Sequence, residues 1–538
     1  MGEGSILVRC FNTVLYTIQQ SFRNGLFIRF LLKCLGFLSV TFRDSRLYFF
    51  FCRISAFFSR MFSGSVVLHS IKDKNPEFSR WKGSVLFKIV NAVLNSPLSL
   101  GKYLYSRIQS TMEDALIIRL AKFILQYIEV IVPAVIAAIL LVPDQRWYNI
   151  YTLFIAVGLV LLFAIKTVLF KDDGFTIASI DSMALLFFAS AALAAFTSVN
   201  RSLSIRFVFF YLTCFLFVLL IVSITRKTES LKNFINIVTT GIFFTAIYGL
   251  WQAATGAIPF DPSLTDLDAN QGMPGRIYST LGNANNYAEL LIMFLPYTIM
   301  LFLSTKNFYA RAWYFITGTV MLGALGFTGA RGCWGAFLVS LFVIVFFKKK
   351  SLIPVLFMLM LASVPFLPDF IVRRFMTIFN ASSDSSAKTR VLIFQTVWPV
   401  LKDYWITGTG LGTDVLVKVL QRYKLELKMN VPHTHILYTQ ILIEMGIVGL
   451  ATFVGSMVRI FRKGIANIYH HDDEFHANII IGGLASLVGI LIVCFVEHVW
   501  YYPRVMLMFW VNVAILYSAI ANIKKPQPKP ENYGTIAQ

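Results

Sequence analysis

From about residue 123 onward the chain alternates between long apolar runs and short polar interruptions. Twelve runs approach or reach the length a helix needs to cross a bilayer, at about 123–142, 150–170, 177–198, 203–224, 232–254, 283–303, 312–328, 333–347, 351–367, 435–458, 477–496 and 504–522. The expected fold is all-α, a polytopic membrane protein of about twelve transmembrane helices. Two connections are long, about 255–282 and 368–432. The second precedes the tenth run and contains a helix-like stretch over 388–403 with Lys388, Arg390, Phe394 and Trp398, so it reads as a folded external cap.

The pattern before residue 123 is different. Phe and Leu are interleaved with seventeen basic and six acidic residues, and no uncharged run is long enough to span. Ser5-Ile-Leu-Val-Arg9-Cys-Phe-Asn12-Thr-Val-Leu15 is echoed by Ser84-Val-Leu-Phe-Lys88-Ile-Val-Asn91-Ala-Val-Leu94. Ser84, Lys88, Asn91 and Asn95 fall on one stripe of a helix whose remaining surface is apolar. Residues 1–122 are therefore expected to be a basic amphipathic region on the cytoplasmic membrane surface, bound to lipid or serving as a docking arm. Residues 123–522 form the transmembrane domain and 523–538 a cytoplasmic tail. Arg9, Arg23, Arg29 and Lys33 interrupt the first apolar stretches, so no cleavable signal peptide is expected.

Charge gives the orientation. The even-numbered connections carry Lys171, then Arg226, Lys227 and Lys232, then Lys306 and Arg311, then 348–350, then Arg459, Arg462 and Lys463. The short odd-numbered ones carry few basic residues, and both termini are expected in the cytoplasm. Composition agrees: 57% of the 538 residues are hydrophobic and 14% charged, against about 25% charged in soluble domains. The net charge of +21 fits anionic lipid and the positive-inside rule, with no call for nucleic acid. Cys10, Cys34, Cys52, Cys214, Cys333 and Cys494 are scattered, which argues against disulfides and structural zinc.

The candidate chemistry collects at the odd-numbered connections. Arg276 stands six residues before Gly282-Asn283-Ala-Asn285, where Asn283 is either a helix cap or a ligand. Arg331 lies between glycines in Gly329-Ala-Arg331-Gly332. Arg390 sits in the large loop, followed by Gly408-Thr-Gly410-Leu-Gly412, which reads either as an anion nest or as a plain turn. Guanidinium groups bind phosphates through bidentate bonds and permanent charge. His433-Thr-His435 marks the re-entry of the chain into the membrane, with Glu444 nine residues beyond. A histidine pair at a membrane mouth suits a general base, and an intramembrane glutamate is functional by default or pairs two helices. Asp266-Leu-Asp268 reads as a solvated loop, with a metal site as the lesser alternative; no metal and no cofactor is expected.

This order of motifs, together with Gln440 and Glu444-Met-Gly446-x-x-Gly449, resembles the O-antigen ligase family, which includes polysaccharide polymerases; the resemblance covers roughly 123–522. Ile436 and Ala284 depart from the residues usual in that family. The resemblance implies a bacterial inner-membrane glycosyltransferase of cell-surface polysaccharide synthesis, polymerase or ligase. Its donor would be an undecaprenyl-diphosphate-linked oligosaccharide and its acceptor a glycan or other hydroxyl. Arg276, Arg331 and Arg390, with Asn283, Gly410 and Gly412, would hold the donor. His435, or His433, would be the base, with Glu444 in the catalytic set. Membrane lipids and other polysaccharide-export proteins are the expected partners. A transporter or flippase of lipid-linked glycans is the alternative.

Overall fold

The computed structural model describes residues 53, 82–258, 275–349, 352–363, 372, 385–423, 433–470 and 473–523. Most of the N-terminal region, including the first copy of its repeat, lies outside them, as do Asp266, Asp268 and the tail beyond 523. Every regular element among the described residues is helical. In chain order these are α1 (Val85–Met112), α2 (Leu116–Leu125), α3 (Ile128–Leu141), α4 (Ile150–Leu169), α5 (Ser182–Phe196), α6 (Arg201–Ile224), α7 (Thr228–Thr255) and α8 (Ala284–Ser304). There follow α9 (Phe308–Phe327), α10 (Arg331–Lys348), α11 (Ile353–Ser363), α12 (Ser385–Tyr404), α13 (Thr413–Arg422), α14 (Leu437–His470), α15 (Glu474–Val493) and α16 (Pro503–Asn522).

Each apolar run falls on one of these helices, the first on α2 and α3, which meet at 67°. Eight of them (α4, α6, α7, α8, α10, α14, α15 and α16) are long and apolar enough to cross a membrane, and the bent pair would make a ninth. α5 has 15 residues and α11 has 11, short for a hydrocarbon layer of about 30 Å. α9 is diluted by Arg311, Gly318, Gly323 and Gly326. Length and hydropathy thus support eight or nine crossings among the described residues, where the sequence pattern predicts twelve. α11 belongs to a separate body, Lys348–Ser363, and is a short apolar helix with Pro354 in its first turn.

Helix starts are set by short polar side chains, because the first-turn N–H groups have no partner within the helix. Asp181 accepts from the Met183 N–H at the start of α5, Asn200 from Leu203 at α6, and Asn307 from Ala310 at α9. The core lies around α8, α15 and α16, where α16 is buried from Arg504 through Ile520. Polar side chains there pair across helices: the Tyr297 hydroxyl donates to Asn512 Oδ1 at 2.5 Å, and Asn512 Nδ2 to Ser486 Oγ at 2.7 Å.

The odd-numbered connections bind one another. Val199 N–H donates to Thr409 O (2.9 Å), Ile277 N–H to Phe327 O (3.2 Å) and Leu437 N–H to Cys494 O (3.0 Å). Arg504, fully buried, reaches Asp144 at 2.6 Å and the Val142 carbonyl at 2.7 Å. At the opposite ends of the helices buried Asp181 takes Arg459 at 3.2 Å and Lys463 at 2.5 Å. Helix ends of the main body therefore gather on two faces.

The large loop is folded over its described part. α12 covers the predicted helical stretch and packs Ile393, Val397, Val400 and Leu401 against Val415, Leu416, Val419 and Leu420 of α13 and Ile443 of α14. Residues 404–412 then cross α14 at a break. Gly446 there has φ 65° and ψ −166°, and a Cβ on it would stand 2.0 Å from the Ile406 carbonyl oxygen. Thr409 N–H donates to Ile443 O (2.7 Å), Gly410 N–H to Glu444 O (3.1 Å) and Ile447 N–H to Trp405 O (2.8 Å).

In α1 the Ser84 side chain caps the helix. Asn95 turns toward the protein and donates to Phe175 O at 3.0 Å, while Val85, Leu86, Ile89 and Val93 are exposed. The polar stripe is thus in part an internal contact, and the open surface is the apolar one.

Gly446→Ala is expected to lower the melting temperature of the detergent-solubilised protein. The left-handed backbone alone carries about 1–3 kcal/mol of strain for a non-glycine residue, and the clash adds to it. Thermal unfolding followed by size-exclusion chromatography reads the effect.

Candidate active site

Four chain segments converge where α8, α12, α14 and α16 begin. Their meeting point is Glu497, in the connection between α15 and α16. Its Oε1 accepts from Arg390 at 2.6 Å and from Asn285 Nδ2 at 3.4 Å. Its Oε2 lies 3.6 Å from His435 Nδ1, just beyond a hydrogen bond. Asn285 Oδ1 in turn accepts from the Arg276 guanidinium. Arg276 also donates through Nε to Thr328 O at 2.7 Å, tying the first long connection to the Gly329–Arg331 turn. Arg331 opens α10 close enough for its charge to be felt at Arg276. Three guanidiniums, one histidine pair and one carboxylate thus share one mouth.

The two histidines differ. His435 is 30% exposed in its side chain and holds φ 57°, a left-handed conformation that a non-glycine residue keeps only when its surroundings impose it. Its N–H donates to His433 Nδ1 at 3.1 Å, and the rings lie 4.2 Å apart. His433 is buried against Tyr501 (4.4 Å) and His498 (5.4 Å). His435 Nδ1, His498 Nδ1 and Arg390 Nε are buried in the mouth and have no hydrogen-bond partner among the described residues.

Glu444 does not touch the histidines. Its Oε1 accepts from Gln440 Nε2 at 2.8 Å, and Gln440 Oε1 accepts from the Thr434 N–H at 3.0 Å. This chain fixes the backbone between His433 and His435 from within α14. Asn283 is the cap of α8, its side chain accepting from Asn285 and Asn286 N–H at 2.8 and 3.4 Å. The glycine loop is not an open nest: the N–H groups of Gly408, Thr409, Gly410 and Leu411 donate to Tyr404 O, Ile443 O, Glu444 O and Ser204 Oγ. Gly410 and Gly412 instead admit Ser198 and Phe207, whose side chains a Cβ would meet at 1.9 and 2.2 Å.

Arg276, Arg331, Arg390, His433 and His435, all singled out in the sequence, are therefore brought together, and Glu444 supports them at one remove. Glu497, His498, Tyr501 and Asn285 complete the mouth without having been singled out. The available signal was Glu497-His498-Val-Trp-Tyr501 itself, a third histidine beside an acid at another odd-numbered connection.

Burial would raise the Glu497 carboxyl, but contact with His435 and the Arg390 charge outweigh it and hold it below its ordinary range. Arg276 is lowered by burial and by Arg331, against the pull of Glu497. Burial, then the neighbouring His435, takes His433 down to about 4, and burial with both other histidines takes His498 down as well. An unfolded histidine takes up its proton near 6.5, so between about pH 6.5 and 4 the unfolded chain binds protons that folded His433 does not. Stability should fall as pH drops through that window. We expect the melting temperature to decline from pH 7 to 4.5, and His433→Gln to flatten part of the slope in a pH series of thermal scans.

No curated protein matches the chain. Residues 316–454 match a family model described as O-antigen ligase. The matched segment runs through Arg331, Arg390, His433, His435 and Glu444, while Arg276 and Glu497 lie outside it. The chain thus combines multiple apolar helices with a segment similar to the O-antigen ligase family.

Proposed function

We propose that the protein transfers a glycan from a polyprenyl diphosphate, undecaprenyl diphosphate in a bacterial membrane, to an acceptor hydroxyl at the external face of the cytoplasmic membrane. The observation that carries this reading is the convergence of Arg276, Arg331 and Arg390 with His435 around Glu497. As the bond between the anomeric carbon and the phosphate oxygen breaks, negative charge grows on the diphosphate. Guanidiniums already in place stabilise that charge without rearrangement. The acceptor oxygen forms the new bond to the anomeric carbon from the opposite side, which inverts the centre. Its proton passes to His435, the more exposed member of the pair. Glu497 orients both Arg390 and His435, and Glu444 holds the intervening backbone through Gln440. Residues 123–522 are the transferase domain in this reading, with both termini cytoplasmic and residues 1–122 on the inner membrane surface.

The purified protein is tested with a fluorescent undecaprenyl-diphosphate oligosaccharide in the presence of EDTA. A ladder of longer chains without added acceptor identifies a polymerase; transfer only after an acceptor is added identifies a ligase. No product under either condition overturns the reading and favours a transporter. Arg276→Ala and His435→Ala are each expected to lose at least about 100-fold in turnover while inserting normally. Wild-type rates in either variant would remove that residue from the mechanism. Glu497→Gln, which keeps shape and removes charge, is expected to fall at least about tenfold in kcat/KM.

A further inference from the structure

Helix α12 has two apolar faces, and packing accounts for one. Ile393, Val397, Val400 and Leu401 are buried. Val391, Phe394, Trp398, Trp405 and Ile406 are open, Trp398 at 46%. Positions 391, 394 and 398 follow helical spacing and lie on one stripe, and Trp405 and Ile406 follow in the turn just beyond the helix. The Phe394 and Trp398 rings are 5.5 Å apart, and the Lys402 ammonium, 5.6 Å over Trp398, holds that ring by a cation–π contact. Rings aligned outward in an external loop form the kind of apolar surface that marks a binding site.

The two ends of the stripe lead to different places. One end begins a residue after Arg390, which is bound to Glu497 in the cationic mouth. At the other end Ile447 N–H donates to the Trp405 carbonyl, and the Ile406 carbonyl packs on Gly446. Ile447 and Val448 are exposed apolar residues on α14, a helix long and apolar enough to cross a membrane, so this end continues into an exposed apolar surface. From Arg390 to Tyr404, its last residue, the helix rises about 21 Å at 1.5 Å per residue.

We propose that the stripe Val391–Phe394–Trp398, with Trp405 just beyond it, is the track along which the isoprenoid tail of the donor passes from the bilayer to the arginine mouth, and that it sets the preference for donor chain length. The inference rests on the glycan-transfer reading. The tail is bonded to the diphosphate, so wherever the arginines hold the anion, the first isoprene units must lie on the adjacent surface. Among the described residues, the stripe that begins beside Arg390 presents Val391, Phe394 and Trp398, with Lys402 over the last ring, and continues at its far end into exposed Ile447 and Val448. Burying isoprene units on it yields favourable free energy in proportion to the apolar area covered. A short prenyl chain covers only the first rings.

The test compares kcat/KM for one oligosaccharide carried on undecaprenyl diphosphate and on farnesyl diphosphate, using the full-length protein in detergent. Wild type is expected to prefer the long donor at least tenfold. The double variant Phe394→Ser with Trp398→Ser is expected to reduce that preference at least tenfold, and Trp398→Phe to keep it. An unchanged ratio in the double variant, including an equal loss with both donors, overturns the track, as does a wild type that uses both donors equally well. A second measurement does not depend on folding of the variant: an undecaprenyl diphosphate bearing a diazirine near the phosphate end should label wild-type residues 391–406, and labelling only elsewhere overturns the proposal. A wild type inactive with both donors but labelled on 391–406 would instead count against the glycan-transfer reading alone.

Discussion

Bringing several guanidiniums into one half-buried mouth is repulsive, and a carboxylate must compensate. Glu497 does so from the last odd-numbered connection, accepting from Arg390 and Asn285 and facing His435. Through Asn285 it also acts on Arg276. Four segments far apart in sequence, entering α8, α12, α14 and α16, are held in register by this one side chain. The mouth keeps a positive surplus because one carboxylate stands against more than one guanidinium.

The histidine loop depends on a second device placed deeper. Glu444 and Gln440 are buried in α14 and pass a hydrogen bond upward to the Thr434 N–H. This fixes the peptide between the histidines, and His435 accepts a left-handed backbone as the consequence. An acid within a long apolar helix, which the sequence marks as functional, here supports the histidine pair without touching it. His433 turns inward to Tyr501 and His498, leaving His435 as the member that meets solvent.

Much of this was legible beforehand for identifiable reasons. Apolar runs read directly as helices because lipid leaves the backbone few other ways to pair its polar groups. The His-x-His stood out because two of the seven histidines sit two residues apart, and Arg276 and Arg331 because they stand beside glycine turns at the odd-numbered connections. Glu497 did not, since a single acid in a short turn follows no spacing rule. Asn283 and Asn285 are equivalent in the pattern, and only the geometry of the first turn makes one a cap and the other a bridge. Gly408, Gly410 and Gly412 illustrate a real degeneracy. Small residues with positive φ serve an anion nest and a close backbone crossing equally well, and which one forms depends on whether other strands of chain already occupy the amides. The bend between α2 and α3 and the break at Gly446 depend on neighbours that no local window contains.

The connections at this face are joined to one another by main-chain bonds, Val199 to Thr409, Ile277 to Phe327 and Leu437 to Cys494. Such joints fix the relative heights and rotations of the helix ends before any ligand arrives. In the proposed function, a substrate entering this mouth would therefore meet dipoles and charges whose entropy of ordering was lost during folding rather than during binding. On that reading affinity is limited by how well the ligand matches a rigid template, and a misfit sugar or a wrongly spaced anion would have little opportunity to remodel the site around itself.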